Sequence, residues 1–225
     1  MKYLKILFAV AMLTICTVKV SAQVPNFGTT VGNQKLYGYS SMKYRANANT
    51  WETYSTLQYG ITDYFQAGVD LYTATGQNYL GYTVRGGVKV CDYFKIGAQL
   101  TPSFDLSNNH KFAYLTSSIY INGNITKDGR LFYVTDTWLE NDKDKLTSAK
   151  QWSYIGYTIP LGKSGNNSIT PLAGVIHSWK FDQPADLSFG FYFTHKNINL
   201  YAWTNDILTK QPRFILAVEF AFSNK

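Results

Sequence analysis

The sequence predicts an all-β fold, an antiparallel up-and-down transmembrane β-barrel of about twelve strands, from three observations. Apolar residues recur at every second position over segments of about ten residues, the period of a strand with two unlike faces. A secretory signal precedes these segments. The last of them carries aromatic side chains at both ends of one face, where membrane-interface girdles belong.

A stretch that occurs twice displays the alternation. Thr62 to Leu71 and Cys91 to Leu100 lie 29 residues apart and agree at five of ten positions. Each copy reads as a tight turn, Asp63-Tyr64-Phe65 or Asp92-Tyr93-Phe94, that feeds a strand with one apolar and one polar face. Such a sheet asks for a different solvent on each side, and a water-containing barrel in a bilayer supplies both.

The N-terminus reads Met1-Lys2-Tyr3-Leu4-Lys5, an apolar run from Ile6 to Cys16, then Val20-Ser21-Ala22 before Gln23. A basic start, an apolar centre and small residues at the cut make residues 1–22 a signal peptide, with cleavage expected after Ala22. A lipoprotein signal ending at Cys16 fits less well, because Ile15 is bulky where a small residue is usual. Residues 23–34, with Pro25, Gly28 and Gly32, read as a short periplasmic lead-in, and residues 35–225 as the barrel domain.

Loss of Lys2, Lys5 and Lys19 with the signal lowers the net charge from +7 to +4. That mild excess, spread along the chain, argues against a nucleic-acid partner. Only Cys91 remains in the mature chain, so no internal disulfide can form. After Gln23 no apolar run approaches the ~20 residues of a membrane helix, so a crossing must be made by strands, whose hydropathy signal is weak.

Turn residues divide the chain into strands over 35–45, 50–61, 65–73, 79–90, 94–105, 111–125, 130–139, 150–161, 168–180, 186–195, 198–206 and 213–222. The clearest is the last, where Phe214, Leu216, Val218, Phe220 and Phe222 oppose Arg213, Ile215, Ala217, Glu219 and Ala221. Phe94, Ile96, Ala98 and Leu100 likewise oppose Lys95, Gly97, Gln99 and Thr101, and Leu187, Phe189, Phe191 and Phe193 oppose Ser188, Gly190, Tyr192 and Thr194. Thr135, Thr137, His177 and Ser178 blur the faces in the seventh and ninth strands, so ten or fourteen strands also fit. With both chain ends periplasmic, the turns near Asp63, Asp92, Asp128, Ser164 and Lys196 face the periplasm. Among the outward connections, only Glu140 to Ala149 reads as long and highly charged.

If the apolar faces meet lipid, the inward set includes Lys43, Glu52, Asp70, Arg85, Lys89, Lys95, Asp105, Arg213 and Glu219. Tyr54, Tyr72, Tyr114, Tyr120, Tyr192 and Tyr201 share that face. Pairing across the Asp92 turn sets Lys89 opposite Lys95, a like-charge pair that a wet lumen tolerates and that could attract anions. The competing reading is that Asp70, Asp105, Glu52 and Glu219 neutralise the bases in a packed polar interior. Inward tyrosines could form a sugar-stacking track, although aromatic girdles use the same residues.

No enzyme is expected. His110 and His195 fall at opposite ends of the barrel, and His177 and Ser178, as neighbours on a strand, point to opposite faces. The histidines and the cysteine show no metal-ligand spacing, there is no phosphate-binding glycine loop, and no cofactor is expected.

On its closing strand, its signal peptide and its alternating segments over residues 33–222, the chain resembles small Gram-negative outer-membrane β-barrel proteins. In size, strand number and mild basicity it is similar to the twelve-stranded monomeric porins for acidic oligosaccharides. Ser223-Asn224-Lys225 after Phe222 depart from a closing strand that ends on an aromatic residue, and no residue motif of those porins is matched. The resemblance implies a monomer in the outer membrane, with membrane lipid around it and a porin-like channel for small hydrophilic, including anionic, solutes. Two alternatives stay open: a structural or surface-interaction barrel that uses the 140–149 loop as its contact, and an exported soluble lipid-binding barrel with its apolar face inward.

Overall fold

The protein is described from a computed structural model that covers residues 29–142, 145–162, 166–179, 185–208 and 212–223. The predicted signal peptide and its cut after Ala22 lie outside the described residues. Thirteen strands make one antiparallel sheet: β1 (Lys35–Arg45), β2 (Thr50–Gly60), β3 (Phe65–Ala74), β4 (Gln77–Cys91), β5 (Phe94–Asp105), β6 (Lys111–Asn124), β7 (Leu131–Asp142), β8 (Lys145–Tyr157), β9 (Ile159–Leu161), β10 (Asn167–Ser178), β11 (Asp186–His195), β12 (Ile198–Asn205) and β13 (Arg213–Ser223). Each strand pairs with its neighbour in the chain, apart from the step from β8 to β10 that β9 interrupts, and β13 pairs with β1 from Lys35↔Ser223 to Arg45↔Arg213. The sheet is therefore closed.

Strands β8 and β9 are one stave broken at Thr158, so the thirteen strands form a twelve-stave barrel. Pro160 explains the break: it pairs with Ser168 on β10, while the pairing of β8 to β7 ends at Leu131↔Tyr157. A residue with no N–H to donate is tolerated where one neighbour is missing.

The apolar faces look outward. Leu57, Val69, Leu71, Val84, Leu100, Ile119, Ile155, Phe189, Phe191, Leu200 and Leu216 are all exposed, while the polar residues that alternate with them, Thr56, Asp70, Thr83, Gln99 and Thr101, are buried inside the barrel. An apolar belt this extensive is unsuited to water and suited to a bilayer. It is also the reverse of what an exported soluble lipid-binding barrel requires, so that alternative is removed. Aromatic residues mark both rims: Tyr64, Phe65, Tyr93 and Phe94 on the near rim, where β1 starts and β13 ends, and Trp51, Phe112 and Trp179 on the far rim.

The two copies of the repeat build different turns. In the first, the amides of Ile61 and Thr62 both donate to the Phe65 carbonyl (2.9 and 3.1 Å), whereas in the second Cys91 pairs directly with Phe94 and leaves a two-residue turn. A role is nevertheless shared. The Tyr64 carbonyl accepts from Gly87 N and the Asp92 carbonyl from Asn124 N, each extending the ladder to the strand that follows. At the β6–β7 turn the Thr126 hydroxyl donates to Asp128 Oδ1 (2.6 Å) and holds that carboxyl below its usual range.

The long outer loop expected over Glu140 to Ala149 is absent. Strands β7 and β8 continue past the barrel wall as a ladder, with Glu140↔Ser148, Asn141↔Leu146 and Asp142↔Lys145 in register around a bulge. The charges that suggested a loop mark only the point where the strands leave the apolar belt, beyond which polar side chains are solvated.

Gly38 on β1 sits opposite Phe220 on β13, and a Cβ there would collide with the Phe220 ring, which lies over the glycine on the outer face. The ring covers backbone that the glycine leaves bare. Gly38→Val should displace it from the barrel seam and cost roughly 1–3 kcal/mol. A lower temperature for the folded-to-unfolded shift in gel mobility checks this, and an unchanged temperature would mean that the seam does not depend on the contact.

Candidate functional site

The inward side chains divide the bore into three zones. At the near rim, residues 29–34 fold into the mouth. The Val31 amide donates to Gln66 Oε1 (2.6 Å), and the Gln66 side-chain amide in turn donates to Gln58. The Thr30 hydroxyl donates to the Asp63 carbonyl (2.5 Å), and the Asn33 amide to Asp63 Oδ1 (3.0 Å). A Cβ on Gly60 would strike the Gly32 carbonyl, so only glycine permits this approach. The expected periplasmic lead-in is thus, over residues 29–34, packed into the barrel mouth.

Lys89 and Lys95 face each other near this rim, as expected. Lys89, however, binds Asp92 in the turn at 2.5 Å and holds the Asp92 carboxyl below its usual range. Its charge is turned to the rim rather than focused on the bore, which removes the expected two-lysine anion trap.

The middle of the bore is filled. Val134, Tyr154, Leu172, Tyr192, Tyr201, Trp203 and Ile215 form a cluster, each less than a tenth exposed, against which Tyr39, Phe132, Trp152 and Ala217 pack, and Tyr37 is buried as well. Polar groups are buried among them. Glu219, fully buried, accepts from Tyr37 Oη (2.9 Å), from Asn199 Nδ2 (3.1 Å) and from Tyr201 Oη. Asp70 accepts from Tyr54 Oη (2.8 Å) and Thr56 Oγ1 (2.6 Å). A buried carboxylate is tolerable when its lone pairs are occupied in this way.

Arg85 is the exception. Its guanidinium lies 4.1 Å from the centre of the Tyr120 ring, yet Nε and Nη2 have no hydrogen-bond partner. Asp136, beside Tyr120 in the register and also buried, has an unpartnered Oδ1, and its register neighbour Trp152 has an unpartnered Nε1. Arg85 acts electrostatically on Asp136 and Glu219 without an ion pair to either. Arg85 is inward as its strand parity predicts, whereas Asp136 is not among the residues expected to face inward. Thr135 and Thr137, the residues that blur the faces of this strand in the sequence, face outward beside it. Val134 and Trp138, which share the parity of Asp136, were no guide because both are apolar.

The far zone is charged and half-buried. Lys43 and Glu52 are register partners. Arg45 binds Glu52 at 2.7 Å, and Arg213, opposite Arg45 across the seam, binds Asp206. Lys43 and Lys150 form no ion pair among the described residues, and the Lys150 charge acts on Lys43. On β3, β4 and β6, beside Glu52, Tyr72 stacks on Tyr79 at 6.0 Å, and Tyr79 meets Tyr114 edge-on at 5.2 Å. Asp105 lies at this rim, where it accepts from the Ser107 amide (2.8 Å) as a turn cap instead of lining the bore.

Of the histidines, His110 is in a far-rim turn, the His177 ring meets Trp179 edge-on at 5.2 Å, and His195 bonds Asn167 at the near rim. No group of three or more His, Cys, Asp and Glu side chains is placed to hold a metal among the described residues.

Replacing Glu219 with Leu strands the Tyr37 and Tyr201 hydroxyls and the Asn199 amide inside the wall, and should cost roughly 2–5 kcal/mol. Urea unfolding followed by tryptophan fluorescence reads this. Glu219→Gln, which keeps acceptor capacity, should cost less.

No family model matches the chain, and no curated protein matches its sequence. Among solved structures, the chain is similar to the KdgM porin, with a TM-score of 0.58 and 12% identity over 83% of this chain and 99% of that one. It is likewise similar to the NanC porin, with a TM-score of 0.54 and 11% identity over 81% of this chain and 98% of that one. The KdgM porin in complex with disordered oligogalacturonate gives a TM-score of 0.55 at 12% identity over 84% of this chain and 99% of that one. At such identity these likenesses establish the fold: a closed twelve-stave antiparallel barrel of the architecture found in monomer-sized porins.

Proposed function

We propose that the chain is an outer-membrane barrel, exported by its signal peptide, that passes small hydrophilic solutes through a narrow bore. The observation that carries this reading is the ionisable ring at mid-height: Arg85, Asp70, Asp136 and Glu219 are buried in the bore of a barrel whose outside is apolar. Filling the same volume with apolar side chains generally stabilises a protein more than buried charge does, so charge kept there points to a role in passage. The far rim supports a gathering step. Lys43 and Lys150 leave base without an ion-paired acid, which raises the local concentration of anions. The tyrosine wall beside them offers flat apolar faces with polar tips, suited to a sugar ring. Likeness to a porin solved with oligogalacturonate agrees with that rim chemistry.

A second reading, a structural barrel without an open pore, is favoured by the burial of Tyr154, Tyr192, Tyr201 and Trp203 across the same level. Planar-bilayer recording separates the two. The purified chain should give discrete conductance steps, and Arg85→Ser and Tyr120→Ala, which remove the stacked pair from the constriction, should each give larger steps. A chain that stays silent with and without these substitutions is a closed barrel, and the channel reading is then lost.

A further inference from the structure

The three buried carboxylates of the constriction are not equivalent. Glu219 is saturated by Tyr37, Tyr201 and Asn199, and Asp70 by Tyr54 and Thr56. Asp136 alone keeps a buried oxygen with no partner, and Arg85 keeps two buried N–H donors with none. Asp136 and Arg85 are only 7% and 6% exposed; Arg85 lies over the Tyr120 ring, Tyr120 is the register partner of Asp136, and no ion pair joins the two charges among the described residues. Trp152 Nε1, also unpartnered, belongs to the register neighbour of Asp136.

Polar groups buried in this condition are under-satisfied, and a guest that completes them is bound at the expense of no existing protein hydrogen bond. Unoccupied guanidinium donors match a carboxylate. The unoccupied oxygen of Asp136 matches an ammonium. A simple anion gains at Arg85 but faces Asp136, Glu219 and Asp70, and a simple cation gains at Asp136 but faces Arg85. Only a solute carrying both charges meets complementary groups at each end.

We propose that the Arg85–Asp136 constriction is a recognition site for a small zwitterion, a free α-amino acid or its close analogue, whose carboxylate takes the open Arg85 donors and whose ammonium takes the open Asp136 oxygen. This rests on the channel reading and supplies its solute class. The anion-gathering rim then acts as an antechamber rather than the selector. Passage requires the Arg85 side chain to leave the face of Tyr120, the cation–π contact being exchanged for a charge-assisted pair with the guest carboxylate.

Uptake of three labelled solutes of matched size into proteoliposomes tests this: glycine as the zwitterion, glycolate as the anion and ethanolamine as the cation. Conductance in potassium chloride is recorded on the same protein. Glycine should enter about tenfold faster than either single-charge solute, the scale set by one charge-assisted hydrogen bond. Arg85→Gln should shift the glycine-to-ethanolamine ratio toward ethanolamine, and Asp136→Asn the glycine-to-glycolate ratio toward glycolate. Ratios are insensitive to a change in bore width, and heat-dependent gel mobility shows that each variant is folded. Conductance with glycolate or ethanolamine equal to or ahead of glycine, or with ratios unmoved in both variants, overturns the zwitterion site and leaves the channel. Absence of both conductance and uptake overturns both.

Discussion

The structure depends on one constraint: a backbone surrounded by an apolar medium must satisfy every N–H and C=O from within the sheet. An open sheet has two edges that cannot do so, and closing β13 on β1 removes both. Once the sheet is closed on twelve staves, the alternation of strands fixes which side chains enter the bore, and the bore is small enough that they meet. The buried cluster of Tyr154, Tyr192, Tyr201 and Trp203 is thus a result of closure with bulky inward residues.

Charge is handled differently at each height. At the far rim, Arg45 and Arg213 face each other across the seam, and each is neutralised by its own carboxylate, Glu52 and Asp206. At the near rim, Lys89 is drawn into the turn by Asp92. In the middle, where water is scarce and a bare charge is most expensive, Glu219 and Asp70 are surrounded by hydroxyl and amide donors while Arg85 is left to an aromatic face. The middle is therefore satisfied at Glu219 and Asp70 and incomplete at Arg85 and Asp136.

Much of this was legible in the sequence. The faces of β1 to β5 and β13 follow from strict alternation, so Lys43, Glu52, Asp70, Arg85, Lys95 and Glu219 are placed inward by parity alone. The strand total followed from turn residues because most turns are tight. Three features were not legible. The β7–β8 extension carries Glu140, Asp142 and Lys145, and charge at a strand end is indistinguishable from loop composition once the strand leaves the membrane. Asp136 was hidden because on β7 and β8 the usual chemistry of the two faces is partly reversed: Thr135 and Ser153 look outward and bond to each other, while Val134 and Tyr154 look inward. The entry of residues 29–34 into the near mouth depends on Gln58 and Gln66 from two strands, a long-range contact that no local pattern encodes.

The seam has a kinetic meaning. Lys35 pairs with Ser223, so the first strand finds one of its two neighbours only when the last strand exists. Every other stave can zip to the preceding one by a local hairpin, but this final ladder closes a loop that comprises almost the whole barrel, and the entropic toll of that closure precedes any reward. Until then two strand edges remain raw beside a developing apolar belt, a state prone to wrong pairing. The chain is consequently committed to an all-at-the-end assembly in which the last strand must be present before the fold exists, and loss of β13 leaves not a smaller barrel but an open sheet.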